Sequence, residues 1–166
     1  MAKKNSLSRL IAGQAEVLFL NADTAFASLP ASNFGKKNLG YPYWMHFYHM
    51  LHSMDQWLIN PFKFKEPPFH ARGLDSFPKN PQKHLTRGLL LKYYFSIRSK
   101  VRKYLKSLDD TMLAEKPEGC RYTRLEMIIA ANRHFMYHVG FIHACIKNDS
   151  GKWPEYKGLS NPLTRI

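Results

Sequence analysis

Apolar residues recur at helical spacing in four long stretches, and proline or glycine bounds each one. The first runs from about residue 7 to 29, marked by Leu10, Ile11, Val17, Leu18, Leu20, Ala25 and Phe26, until Pro30, Asn33 and Gly35 break it. The second spans about 43–59, between Pro42 and Pro61. The third spans about 82–108, with Pro81 acceptable near a first turn. Lys116-Pro117-Glu118-Gly119 interrupts the chain, and the fourth then runs from Thr123 to about Lys147. Thr123 and Glu126 fit a capping box there, and 148–151 ends the helix. No segment alternates with period two for long enough to build a sheet, and there is no internal repeat. The expected fold is therefore all-α: a single domain over 1–166, a four-helix bundle with a long Pro/Phe-rich crossover between helices 2 and 3.

That crossover, 60–80, holds Pro61, Pro67, Pro68 and Pro78 with Phe62, Phe64, Phe69 and Phe77 between them. Loops this long in a compact domain tend to be functional or disordered. The aromatics argue for packing over the bundle, either as a plain crossover or as a lid or pocket wall. The tail from Trp153 to Ile166 mixes aromatics and prolines in the same way and is expected to pack irregularly.

With 166 residues, eleven Phe, nine Tyr and three Trp, the chain has the material for a full core. No apolar run approaches the ~20 residues that cross a bilayer. Leu10 to Leu20 follows Lys3 and Lys4 but is interrupted by Gln14 and Glu16, which reads as a first helix rather than a signal peptide. Two cysteines, Cys120 and Cys145, make no disulfide framework, so a cytoplasmic location is expected. The formal charge of +13 favours anionic partners. Its densest run, Arg98 to Lys106, fills the non-apolar positions of the third helix and reads first as a solvated face.

The chemistry lies in the histidines. His134 and His138 are one turn apart on the fourth helix, so both imidazoles leave the same side. Met127, Ala131, Phe141 and Cys145 fall within about 60° of them, which reads as a core stripe. His143 falls opposite, which reads as a surface position. Gly140 lies off the stripe, where a missing side chain permits close helix approach. Two buried imidazoles need partners, and a divalent metal serves both, as do hydrogen bonds to Tyr, Asp or water. On the second helix, Phe47, Met50, Leu51, Met54 and Leu58 form one apolar face, while His46, His49 and His52 line a more polar one. Either that face looks into the bundle or it faces water. In the first case the apolar face packs on helix 1, the crossover or a second subunit.

The segment Arg133-His134-x-x-x-His138-Val139-Gly140 resembles the last-helix signature of the DinB/YfiT-like proteins. Trp44, His49-Met50-Leu51, Asp55 and Leu58 resemble their first ligand helix. Helix order, the crossover after Asp55 and Lys152-Trp153-Pro154 are also similar, so the resemblance covers most of the chain. It implies a four-helix bundle that binds a divalent metal through three histidines: His134, His138 and, on the spacing to Asp55, His49. An alignment anchored on Trp44 selects His52 instead. Zn or Ni is the implied ion, with Mn and Fe suited to the same ligands. Some members of the family look like thiol-dependent transferases or isomerases acting on electrophilic small molecules, others resemble metal-dependent hydrolases, and many have no assigned reaction. The resemblance thus implies a small-molecule substrate, with a low-molecular-weight thiol as one co-substrate.

Three histidines leave a coordination position open, the pattern of a catalytic site. Asp55 reads either as an orienting partner for an imidazole or as half of a salt bridge. Tyr48 and Tyr137 read either as donors to a bound ligand or, more commonly, as packing, and Cys145 reads as core rather than ligand. Two other functions fit weaker signals. A basic helical module would bind nucleic acid or another polyanion, but no recognition motif or phosphate loop supports it. A structural homodimer with a non-catalytic metal site would use the apolar face of helix 2.

Overall fold

The computed structural model describes residues 6–158. Among them are five α-helices and one two-residue hairpin, so the fold is all-α in character. Residues 1–5 and 159–166, including most of the expected irregular tail, lie outside the described residues.

Helix α1 (Leu7–Ser28) starts where the Ser6 hydroxyl accepts from the Arg9 amide. Pro30 opens a 3-10 turn at Ala31–Asn33. Strands β1 (Lys37–Asn38) and β2 (Tyr41–Pro42) then pair antiparallel across Leu39 and Gly40, both at positive φ. Positive φ at both turn residues gives the twist a two-residue hairpin needs. Helix α2 (Tyr43–Trp57) follows directly. Helix α3 (Arg87–Ser107) begins five residues later than the apolar pattern suggested. Thr86 caps it by accepting from Leu89, and Pro81 lies in the preceding coil rather than in a first turn. A short helix, α4 (Asp110–Ala114), is capped by Asp109. Helix α5 (Arg124–Ser150) carries the capping box of Thr123 and Glu126, and stops at Gly151 in the left-handed region, φ 73°.

Thr123→Ala removes a hydroxyl that caps the longest helix. It is expected to cost about 1 kcal/mol, seen as a lower urea midpoint at an unchanged slope.

Helix α2 is the central element, packed against both α5 and α3. Tyr43 to Tyr48 and Met50 to Met54 are all buried. Phe47 stacks 4.1 Å from Phe26 and 5.3 Å from Phe34, so the apolar face rests on α1 and the turn after it. The histidine face looks at α5 and the crossover. Both faces are covered within one chain, so neither calls for a second subunit.

The basic run on α3 is a set of inter-helix ties. Arg98 reaches Asp23 at 2.8 Å, Arg102 reaches Glu16 through two bonds, and Lys100 meets Asp55 at 2.5 Å. The hydrogen bond from Arg102 lowers the Glu16 carboxyl against the rise that burial causes. The buried Tyr94 hydroxyl donates to Asp23 in the same network. Three of the run's cations therefore face carboxylates of the same chain. This removes much of the charge that a polyanion-binding face would offer.

In the tail, Trp153 and Tyr156 are exposed. The chain is held instead by buried Asn21, whose side chain bonds both the amide and the carbonyl of Lys157. No helix among the described residues is long and apolar enough to cross a membrane.

Candidate metal centre

Two facing helices and one strained turn assemble the site. His49 comes from the middle of α2, and His134 and His138 from the middle of α5. Their three ligand nitrogens lie within 4.8 Å of one another. His49 Nε2 and His134 Nε2 are 3.2 Å apart. The His138 ring sits 4.6 Å from each of the other two, at steep angles.

The third element is the end of the crossover. Gly73 (φ 75°) and Phe77 (φ 52°) both adopt left-handed backbone around a 3-10 turn at Leu74–Ser76. A non-glycine residue there stores about 1–3 kcal/mol of strain and persists only when its surroundings enforce it. At Phe77 the strain serves two contacts. It aims the Asp75 carbonyl at His49 Nδ1, 2.5 Å away. It also lays the Phe77 ring 5.0 Å from His46 and 4.8 Å from His49. A carbonyl only accepts, so His49 Nδ1 carries the proton. In the neutral ring, Nε2 is then left with its lone pair facing His134.

Burial sets the charge of the other two rings. His138 is buried, and desolvation pushes its pKa down to about 3, with the charges of His49, His134 and His46 adding to the effect. His134 is half-buried under Trp57, 4.7 Å away, and is lowered by burial and then by His49. Both therefore remain neutral, with a lone pair to offer, at neutral pH.

The expected core stripe of α5 needs correcting. The deepest residues are Ile128, Phe135, Val139 and Ile142, centred about 110° around the helix from His134. The histidine pair lies on the flank of the core, not along its centre. His143, expected at the surface, is buried on the other flank. Its Nε2 lies 3.0 Å from the Asn21 carbonyl and 3.3 Å from the Thr24 hydroxyl, because α1 covers that side. Gly140 is exposed, and a side chain there would meet open space, so it serves no close approach.

The remaining histidines of α2 part company. His52 turns away from the triad toward Glu66 and His70 of the crossover. His46 is buried beside Phe77 and Phe141, and its Nε2 has no protein partner. Asp55 is not an imidazole partner: it accepts from Tyr93 at 2.9 Å and pairs with Lys100. Cys145 is buried and free, and Tyr137 is exposed with its ring edge-on to His138. The sequence reading missed Asp75, Phe77, Glu66 and His70 as parts of the histidine environment. Glu66 and His70 lie in irregular backbone around Pro67 and Pro68, where sequence spacing does not show which side chains meet. Asp75 contributes only a main-chain oxygen, which residue type does not reveal.

A cleft of about 420 Å³ opens beside His138, walled by Leu39, Tyr41, Phe77, Tyr137 and Phe141, with His46 at its edge. Another cleft, of about 750 Å³, lies between α1, α3 and α4, and no histidine lines it. No family model, no curated protein and no solved structure matches this chain.

Burial of His46 has a consequence for pH. Desolvation lowers its pKa to about 4, against about 6.5 in an unfolded chain. Between those values the unfolded chain binds more protons, so stability is fully present above pH 6.5 and lost as pH falls toward 4. His46 alone is expected to make the protein about 2 kcal/mol less stable at pH 5 than at pH 7. His138 acts in the same direction. Urea unfolding at the two pH values measures this, and His46→Phe should reduce the difference. A stability independent of pH over that range would show that the ring is not held neutral.

Proposed function

We propose that this protein is a divalent-metal-binding four-helix bundle of the DinB/YfiT-like kind, with His49, His134 and His138 as ligands. The proposed activity is transferase or hydrolase chemistry on a small molecule. The observation that carries the reading is the 3.2 Å separation of His49 Nε2 and His134 Nε2, with His138 edge-on to both. Two nitrogens bound to one tetrahedral zinc ion stand about 3.3 Å apart, given a Zn–N bond of about 2.0–2.1 Å. The donor set fits as well. All three ligands are imidazoles, the Asp75 carbonyl fixes the His49 tautomer, and desolvation keeps His134 and His138 neutral. A carbonyl held against the outer nitrogen of a ligand imidazole is the usual way a protein orients such a ring.

Zn or Ni suits three imidazoles best, and Mn and Fe suit the same ligands. When bound, the ion supplies Lewis acidity at an open position and so makes a water or a thiol nucleophilic at neutral pH. The chain's own residues do the rest. Phe77, Tyr137 and Phe141 take the apolar part of a substrate and exclude water from the His138 side. His46 contributes to the cleft wall, and its Nε2 is buried without a protein partner. Hydrolysis would use water as the nucleophile, and transfer would use a low-molecular-weight thiol.

The test is titration of the purified protein with Zn and Ni, compared with His134→Ala/His138→Ala. One tight equivalent is expected to disappear in the double variant while circular dichroism stays helical. Equal metal uptake by both proteins would end the proposal.

A further inference from the structure

We propose that His52, Glu66 and His70 form a second divalent-cation site, separate from the triad, that fastens the crossover to α2. The three ligand atoms lie within 4.8 Å of one another. His52 Nε2 is 2.7 Å from Glu66 Oε2, and His70 Nδ1 is 3.6 Å from the same oxygen. The two rings stack at 5.2 Å and 22°.

Three features distinguish this cluster from a passing ion pair. His52 is only 2% exposed and sits in the rigid centre of α2, so one ligand is fixed before the crossover arrives. Glu66 and His70 are four residues apart in the irregular crossover, and their side chains reach the same point as His52. The Glu66 side chain is 47% exposed, which gives a cation a path in and leaves room for solvent to complete its coordination. Two imidazoles and one carboxylate are a recognised ligand set for zinc-type ions, and the carboxylate offsets part of the ion's charge. Tyr48, which now holds His70 Nδ1 at 2.6 Å, gives up that bond to the cation.

The site has a structural consequence. Phe64 packs against His52, and Phe69 packs against Tyr48 and Tyr93, so the crossover is already seated around these ligands. The same segment goes on to the turn that presents Asp75 and Phe77 to the triad. A cation at His52, Glu66 and His70 would hold that segment down.

Zinc titration of the full chain tests this. Wild type is expected to bind two equivalents. His134→Ala/His138→Ala keeps one, and zinc slows tryptic cleavage at Lys65 and Arg72 in that variant. Glu66→Gln, at a half-exposed position where the fold is expected to persist, weakens one equivalent by about tenfold or more and leaves the other unchanged. If His52→Ala/His70→Ala fails to fold, Glu66→Gln still decides. A folded His134→Ala/His138→Ala protein that binds no zinc overturns the second site and leaves the triad reading intact. So does a Glu66→Gln protein with both affinities unchanged. Conversely, loss of one equivalent in Glu66→Gln with none lost in His134→Ala/His138→Ala supports this site and removes the triad.

Discussion

His138→Ala is expected to lower the affinity of the triad for zinc by about 1000-fold. Apparent binding energies of structural zinc sites run to about 10–16 kcal/mol. One of three protein ligands then accounts for about 4 kcal/mol, or three powers of ten. His138 is the most telling of the three because its ring is the most buried and the most strongly held neutral. Its removal also relieves a desolvated polar group, so the fold should survive or gain slightly in stability without metal. Competition against a chelator of known affinity gives the measurement. His138→Asn separates volume from ligation: it keeps a polar side chain of moderate size and is expected to bind as weakly as the alanine variant. Unchanged affinity in either would mean that the ion sits elsewhere.

Phe47→Ala is expected to destabilise the fold by about 3–5 kcal/mol. The ring is fully buried and is wedged between Phe26 and Phe34, 4.1 and 5.3 Å away. Its loss leaves a cavity between α2 and α1 that rigid helices cannot close, and the aromatic pairs lose their own contribution. In a chain of this size the melting temperature should fall by roughly 10 °C or more. Phe47 points away from the histidine face, so metal affinity in the folded state should change little. The pair of variants thus separates folding from ligation: one loses stability and keeps binding, the other loses binding and keeps stability.

Much of this was legible in the sequence because local rules govern it. Apolar spacing located the four long helices, and the Thr123–Glu126 box marked the start of α5 to the residue. The start of α3 was set too early. Gln82 to Leu85, with one apolar residue, is coil, and the Thr86 hydroxyl, by accepting from Leu89, fixes the boundary. Helix α4 is five residues long, too short for periodicity to reveal. The flanking position of the HxxxH pair was misjudged. Its stripe was drawn from the histidines themselves, whereas Phe135, Val139 and Ile142 define the core face. His143 was misplaced for the same reason, since α5 is buried over a wide arc by both α1 and α2.

Periodicity does not separate His46, His49 and His52; only the family resemblance chooses among them, giving His49 on the spacing to Asp55 and His52 on an alignment anchored on Trp44. All three lie on one face of α2, and what separates them is the path of the crossover. Glu66 and His70 arrive over His52, the Asp75 carbonyl arrives over His49, and Phe77 covers His46. That path is built from left-handed backbone at Gly73 and Phe77. The glycine signals such a conformation in a sequence, and the phenylalanine does not. Helices α2 and α5 bring His49, His134 and His138 together.

The most direct measurement of the central claim is anomalous diffraction at the zinc edge from crystals of the full chain grown with zinc. The expected result is a peak bounded by His49 Nε2, His134 Nε2 and a ring nitrogen of His138. Zinc peaks only at other positions, with none between these three rings, would contradict it.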